Sequence, residues 1–220
     1  MGELLPHRHK SGIGEKLNLT KFPNDVSWNG SIIYLDRDGV INKGSENYIN
    51  SREEFVLLPD VAESLARLRE FGFRTCLVTN QSPINRGYWD HETLEGIHQK
   101  MIEELSNLNI NAVIDLILYS PYSPEENSIS RKPGAGMLRA GNIILNSSEL
   151  GITLPLNFDS LDEDLLFEEG SMSAMVGDRY VDYQAGKSHG VRSFLVNPNR
   201  GLPDVINRIL DKNDKGDVLH

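Results

Sequence analysis

Residues 31–42 read SIIYLDRDGVIN, and the fold follows from this stretch. Ile32, Ile33, Tyr34 and Leu35 form a short apolar run with no helical period, which predicts a strand covered on both faces of a parallel sheet. Asp36 and Asp38 follow two residues apart, and Gly39 permits a sharp turn. In open α/β sheets, ligands bind outside the carboxyl ends of the strands. Two carboxylates placed there repel each other and lose hydration, so they call for a nearby cation or an elevated pKa. Taken alone, the stretch also fits an Asp-rich turn that merely caps a strand.

Three further stretches narrow the choice. Cys76-Leu77-Val78-Thr79-Asn80 is a second apolar strand, ending in a hydroxyl. Arg131-Lys132-Pro133 stands where a loop meets a helix, and Pro133 favours an extended backbone at Lys132. Met172–Val176 runs into Gly177-Asp178-Arg179-Tyr180-Val181-Asp182. The order is an Asp pair, a threonine, a lysine and a second Asp pair, three of the four at the ends of apolar strands.

This order resembles the haloacid dehalogenase superfamily over roughly residues 31–196. The resemblance implies an α/β, Rossmann-like three-layer sandwich with a central parallel sheet and no large cap domain. It also implies phosphoryl transfer, in which Asp36 is the nucleophile and Asp38 the general acid and base. Thr79 and Lys132 are then expected against the phosphoryl oxygens. Magnesium is expected on Asp36, Asp178 and the main-chain carbonyl of Asp38, with Arg179 and Asp182 in support. A hard cation with oxygen ligands suits a carboxylate that must approach a phosphate.

Within the superfamily, LDRDGVIN (35–42), LVTNQSPINRG (77–87), RKPGAGML (131–138) and VGDRYVD (176–182) resemble the histidinol-phosphatase-related branch. Its members acting on heptose 1,7-bisphosphate resemble the chain more closely. On that resemblance Asn42, Tyr48, Asn80, Gln81, Ser82, Arg86 and Arg131 are the expected substrate contacts, and removal of the C7 phosphate is the expected reaction. The alternatives are a histidinol-phosphate or other small-molecule phosphatase, a phosphotransferase using a second hydroxyl as acceptor, and an inactive sugar-phosphate-binding protein. Most of this branch carries a zinc loop of the form Cys-x-His, a gap, then Cys-x-Cys. Here the corresponding positions read Ser120, Tyr122, Ser128 and Ser130, and hydroxyls do not replace thiolates on zinc, so no zinc is expected.

The whole chain has 220 residues and a formal net charge of −10, which disfavours a nucleic-acid partner. Cys76 is the only cysteine, so no internal disulfide can form, as in a reducing cytoplasm. No apolar run approaches the ~18 residues of a membrane span, and the start lacks the apolar stretch of a signal peptide. The expected setting is cytoplasmic, and the expected partner is a small sugar phosphate. A monomer or weak homodimer is expected.

Residues 1–30 read as an irregular arm with a mobile basic tip at His7 and His9. Residues 31–212 read as the phosphatase domain, with an acidic insertion at 147–170 containing a short helix, and 213–220 as a tail. Strands are predicted at Phe73–Thr79, Ala112–Tyr119 and Val191–Val196. Helices are predicted from Pro59-Asp60 to Gly72, over His91–Leu108, from Gly134 to Asn146, over Tyr183–His189 and over Pro203–Leu210. Asp90 is the expected cap of the second helix, whose buried stripe is Leu94, Ile97, Met101 and Leu105. His98 reads as a surface or boundary residue.

Overall fold

The computed structural model describes residues 4–154, 161 and 163–219. Its strands are β1 (His7–Arg8), β2 (Ile32–Leu35), β3 (Arg74–Asn80), β4 (Leu116–Ser120), β5 (Ala174–Gly177) and β6 (Arg192–Leu195). Its α-helices are α1 (Val61–Glu70), α2 (His91–Leu108), α3 (Gly136–Glu149), α4 (Tyr180–His189) and α5 (Ile206–Leu210). The strands form one sheet in the order β1-β4-β3-β2-β5-β6. All neighbours are parallel except β1, which runs antiparallel to β4 and pairs His7 with Tyr119.

The central strand β2 is wholly buried because both of its faces are covered. Ile33 and Leu35 point into one apolar layer, with Val61, Leu65 and Leu68 of α1 and Ile97, Met101 and Leu105 of α2. Ile32 and Tyr34 point into the other, with Met137, Leu138 and Ile144 of α3 and Ala185 of α4. This period-2 alternation inside an apolar run makes three layers from one sheet. The chain leaves β2 towards β3 on one side, while β5 closes the other, so the order reverses at β2. That switch point opens a crevice beyond the carboxyl ends of β2 and β5.

Helix α2 begins where its cap predicts, with the Asp90 carboxylate accepting from Thr93 N at 2.9 Å. Helix α4 starts three residues earlier than expected, at Tyr180. The last predicted helix resolves into a 3₁₀ turn at Leu202–Asp204 followed by α5. In the acidic segment, a 3₁₀ turn at Glu163–Leu165 stands where a short helix was expected, while Asp159 and Asp162 lie outside the described residues.

Two readings need correction. The arm is neither irregular throughout nor tipped by loose histidines, since His7 and Arg8 form the edge strand β1. His7 stacks on His91 with ring centroids 4.9 Å apart, and His9 meets His98 edge to face at 5.3 Å. His98 is completely buried. It lies one turn after Leu94 on the same stripe, so the helix carries it under β1.

Further along, the arm is held by ions. Arg69 and Arg74 both pair with the buried Asp115, at 3.2 and 2.8 Å, and both donate to Thr20 O. The Phe22 ring stacks over Arg74 at 4.1 Å, and Trp28 Nε1 donates to Ser31 O at the start of β2.

Candidate active site

The carboxyl ends of β2, β3 and β5 bring the predicted chemistry together. Asp36 follows β2 directly and is buried, its main-chain N donating to Val176 O on β5. Lys132 Nζ lies 2.8 Å from Asp36 Oδ1 and 2.6 Å from Asp182 Oδ1, and all three side chains are buried. One carboxylate oxygen each from Asp36, Asp178 and Asp182 fall within 4.8 Å of one another. Asp178 Oδ1 is buried with no protein hydrogen-bond partner among the described residues. Clustered carboxylate oxygens with an orphaned acceptor suit a hard divalent cation.

Electrostatics separates the three acids. Burial opposes the charge on Asp36, but Lys132, Arg179 and the Arg37 main-chain N–H hold its carboxyl below the usual range. Burial, with Asp36 and Asp182 beside it, pushes Asp178 up to about 6. Asp182 is raised for the same reasons, although Lys132 pulls the other way. Lys132 is raised in turn, because its two carboxylates outweigh its own burial. The charged form is thus favoured at Asp36, while at Asp178 burial and the two neighbouring carboxylates outweigh Arg179 and Lys132.

Two glycines make this spacing possible. Gly177 ends β5 under Asp182, where a Cβ would fall 2.1 Å from Asp182 Cβ. Gly39 has φ +76°, and a Cβ there would lie 2.6 Å from Asp178 Oδ2.

The Asp38 side chain points elsewhere. The buried Arg37 guanidinium donates to both of its oxygens, at 2.9–3.2 Å, and Asn42 Nδ2 donates to Oδ1 at 2.9 Å. Arg37 and Asn42 therefore aim Asp38, and Asn42 is fully buried. Gln81 is buried too, and its amide donates to Thr79 Oγ1 at 2.8 Å. Asn80 clamps the lysine segment from both sides, donating to Lys132 O and accepting from Lys132 N, each at 3.0 Å. Ser82 is buried beside these residues.

A cleft of about 550 Å³ opens over the acids, lined by Asp38, Lys43, Tyr48, Asn80, Asp178 and Arg179 among others. Arg86 Nη1 reaches the Tyr48 hydroxyl at 3.4 Å. Arg131 is half-buried and donates to Tyr122 O at 2.9 Å. Burial and the neighbouring Arg179 and Arg86 lower its pKa, so three guanidiniums share one electropositive region. The sequence reading missed Arg37, Lys43 and Asn199. Arg37 stands between the two Asp residues and Lys43 five residues after them, close enough to have been considered, whereas Asn199 enters from the loop after β6 with no motif to mark it.

A doubly wound sheet that presents an Asp pair after its central strand, a lysine between buried acids and a second Asp pair after β5 defines a phosphatase of the haloacid dehalogenase type. Comparison with known proteins agrees: the family model described as polynucleotide kinase 3 phosphatase matches residues 31–154. The chain belongs to this family of haloacid dehalogenase-like phosphatases. It is 33% identical to the D-glycero-beta-D-manno-heptose-1,7-bisphosphate 7-phosphatase of Pseudomonas putida, over 77% of this chain and 84% of that protein. With the enzyme of the same name from Pseudomonas aeruginosa the identity is 40% over half of this chain, and the match spans only 60% of that protein's length. Among solved structures, the D,D-heptose 1,7-bisphosphate phosphatase of B. bronchiseptica, complexed with magnesium and phosphate, superposes with a TM-score of 0.63. It is 28% identical and covers 82% of this chain and 98% of its own. A putative haloacid dehalogenase-like phosphatase from Mesorhizobium loti gives 0.62 at 25% identity, covering 97% of this chain and all of its own.

Proposed function

We propose that the chain hydrolyses a sugar-phosphate monoester through an aspartyl-phosphate, and that its substrate is heptose 1,7-bisphosphate, cleaved at C7. The observation that carries the reading is Asp36, buried 2.8 Å from the Lys132 ammonium beneath an open cleft lined by Asp38, Lys43, Asn80 and Arg179. Asp36 Oδ attacks phosphorus as the ester P–O bond breaks, and Asp38 gives its proton to the departing sugar oxygen. Asp38 then takes a proton from water, which attacks the same phosphorus. The bond to Asp36 breaks and inorganic phosphate leaves. Lys132 and the Thr79 hydroxyl, aimed by Gln81, neutralise and orient the phosphoryl oxygens. Asp36, Asp178 and the main-chain carbonyl of Asp38, with Asp182 behind, would hold magnesium, which when bound would supply charge neutralisation.

Arg86 and Arg131 offer planar donors for a second phosphate or vicinal hydroxyls. The two heptose-bisphosphate relatives and the solved neighbour support that choice over histidinol phosphate. A polynucleotide, despite the family's description, is disfavoured by a net charge of −10. An inactive binding protein is disfavoured because every catalytic position is retained.

Steady-state kinetics on heptose 1,7-bisphosphate, histidinol phosphate, hexose phosphates and p-nitrophenyl phosphate test the proposal. The bisphosphate should give the highest kcat/KM. EDTA should abolish turnover and magnesium restore it. A higher kcat/KM on histidinol phosphate removes the heptose assignment and leaves the phosphatase.

A further inference from the structure

The four hydroxyl-bearing positions where the branch carries zinc ligands do not fit that metal, and the structure shows what engages three of them. Tyr122 OH donates to Leu5 O at 2.9 Å, Ser128 Oγ to Leu4 O at 2.8 Å, and Ser130 Oγ to Leu4 O at 2.6 Å. These are neutral oxygens whose protons are committed to main-chain carbonyls, whereas zinc needs ligands with a free, preferably anionic, lone pair. Ser128 Oγ also accepts from Ser130 N, which closes the turn before Arg131.

We propose that residues 4–8 act as an internal strap that holds the 120–131 loop, so that the N-terminal arm does for this protein what a bound metal would do for a loop with thiolates. The strap is anchored directly after its contact, at His7 and Arg8. β1 zips His7 and Arg8 to β4, the strand that leads into the loop. His7 stacks on His91 at the start of α2 and meets the Tyr122 ring edge-on at 6.1 Å. The backbone of Leu4 and Leu5 is thereby fixed before it meets the hydroxyls, and a preorganised acceptor loses little entropy on bonding.

The consequence falls on Arg131 and spares Lys132. Arg131 Nη1 donates to Tyr122 O, so the placement of its guanidinium depends on Tyr122 being held. Lys132 has independent anchors in Asp36, Asp182 and Asn80. The strap therefore positions the group that would meet the distal phosphate, and this kinetic consequence rests on the function proposed above.

The test uses the full chain with Tyr122→Phe, Ser128→Ala and Ser130→Ala combined, Tyr122→Phe alone as the mildest variant, and a form lacking residues 1–9. Amide hydrogen exchange over 122–131 should quicken about tenfold or more in the combined variant and the truncated form, as expected when several hydrogen bonds are lost. KM for the sugar bisphosphate should rise about tenfold with kcat nearly kept, while p-nitrophenyl phosphate turnover stays close to wild type. Ser130→Thr, which keeps the hydroxyl, should restore the combined variant in part. Unchanged exchange in both the combined variant and the truncated form overturns the strap, as does one equivalent of zinc in the purified full chain by elemental analysis. Equal losses on both esters overturn its link to Arg131. If wild type hydrolyses p-nitrophenyl phosphate but not the bisphosphate, the substrate reading has failed, and exchange and zinc content still decide the strap.

Discussion

At the scale of single residues, the site depends on two carboxylates sharing one ammonium in a buried place. Removing Lys132 leaves Asp36 and Asp182 uncompensated, and breaking a buried ion pair from one side typically costs about 3–5 kcal/mol. Lys132→Met should therefore lower stability by about 3 kcal/mol in urea denaturation with EDTA present, and abolish turnover; unchanged stability would show that the ion triad is not formed. Asp36→Asn tests the nucleophile more cleanly, because the amide keeps the shape and Lys132 keeps Asp182. Turnover of every ester should fall below detection while circular dichroism is unchanged, and a variant retaining a tenth of the activity would remove Asp36 from the role. Asp36, Thr79 and Lys132 were legible in the sequence because each ends a strand or loop in a fixed order, and Asp182 because it closes the second Asp pair. The tasks of Asn42 and Gln81 were not legible. Both were expected to meet substrate, yet both are buried and direct their amides at Asp38 and Thr79. An amide looks the same in a sequence whether it faces a ligand or a neighbour.

At the scale of elements, the turn from β5 into α4 brings Asp178 and Asp182 round to Asp36. Arg179 N donates to Asp182 Oδ2 at 3.0 Å, so one carboxylate both caps the helix and holds Lys132. This double use requires the backbone of Gly177 to pass directly beneath Asp182. Gly177→Ala would drive a methyl into that side chain, and overpacking of this kind costs about 1–3 kcal/mol. Thermal denaturation should place it near the upper end, with activity lost even where the protein stays folded. Full activity would show that the turn can yield. The helical periods of α1 and α2, the Asp90 cap and the apolar strands were readable because each follows from local spacing. The edge strand β1 was not readable, since two residues, His7 and Arg8, carry no alternation and pair through backbone atoms alone. The strap is hidden for the same reason: its acceptors are peptide carbonyls, which every residue has.

At the scale of the whole molecule, the arm crosses the sheet edge and closes a layer of imidazoles between itself and α2. His98 lies at the centre, facing His9 from β1's end, Tyr119 from β4 and the buried Arg37 from the Asp turn. Neither of its ring nitrogens meets a protein partner among the described residues. Burial, together with Arg37 and His9, holds its pKa well below 6.5. Burial and Lys10 lower His9 to about 4, and burial and His91 lower His7. The folded chain therefore keeps these rings neutral while the unfolded chain protonates them near the ordinary value of about 6.5. Below that pH the unfolded state binds more protons, so stability falls as pH drops from about 6.5 towards about 4, where His9 finally accepts its own. Carboxylates such as Asp36 also lose their native advantage in acid, which obscures the histidines in wild type alone. A variant isolates them. His98→Leu removes a buried polar ring whose nitrogens bond to no protein group among the described residues, and replacing such a group by an apolar one of similar size is near neutral or stabilising. At about pH 7 its denaturation midpoint in urea should match or exceed that of wild type, and between about pH 7 and pH 5 it should fall less steeply. The carboxylate contribution is common to both proteins, so the difference in slope belongs to His98. Parallel midpoint curves would mean that the folded protein protonates His98 as readily as the unfolded chain does, and that the imidazole layer under the arm is not sealed.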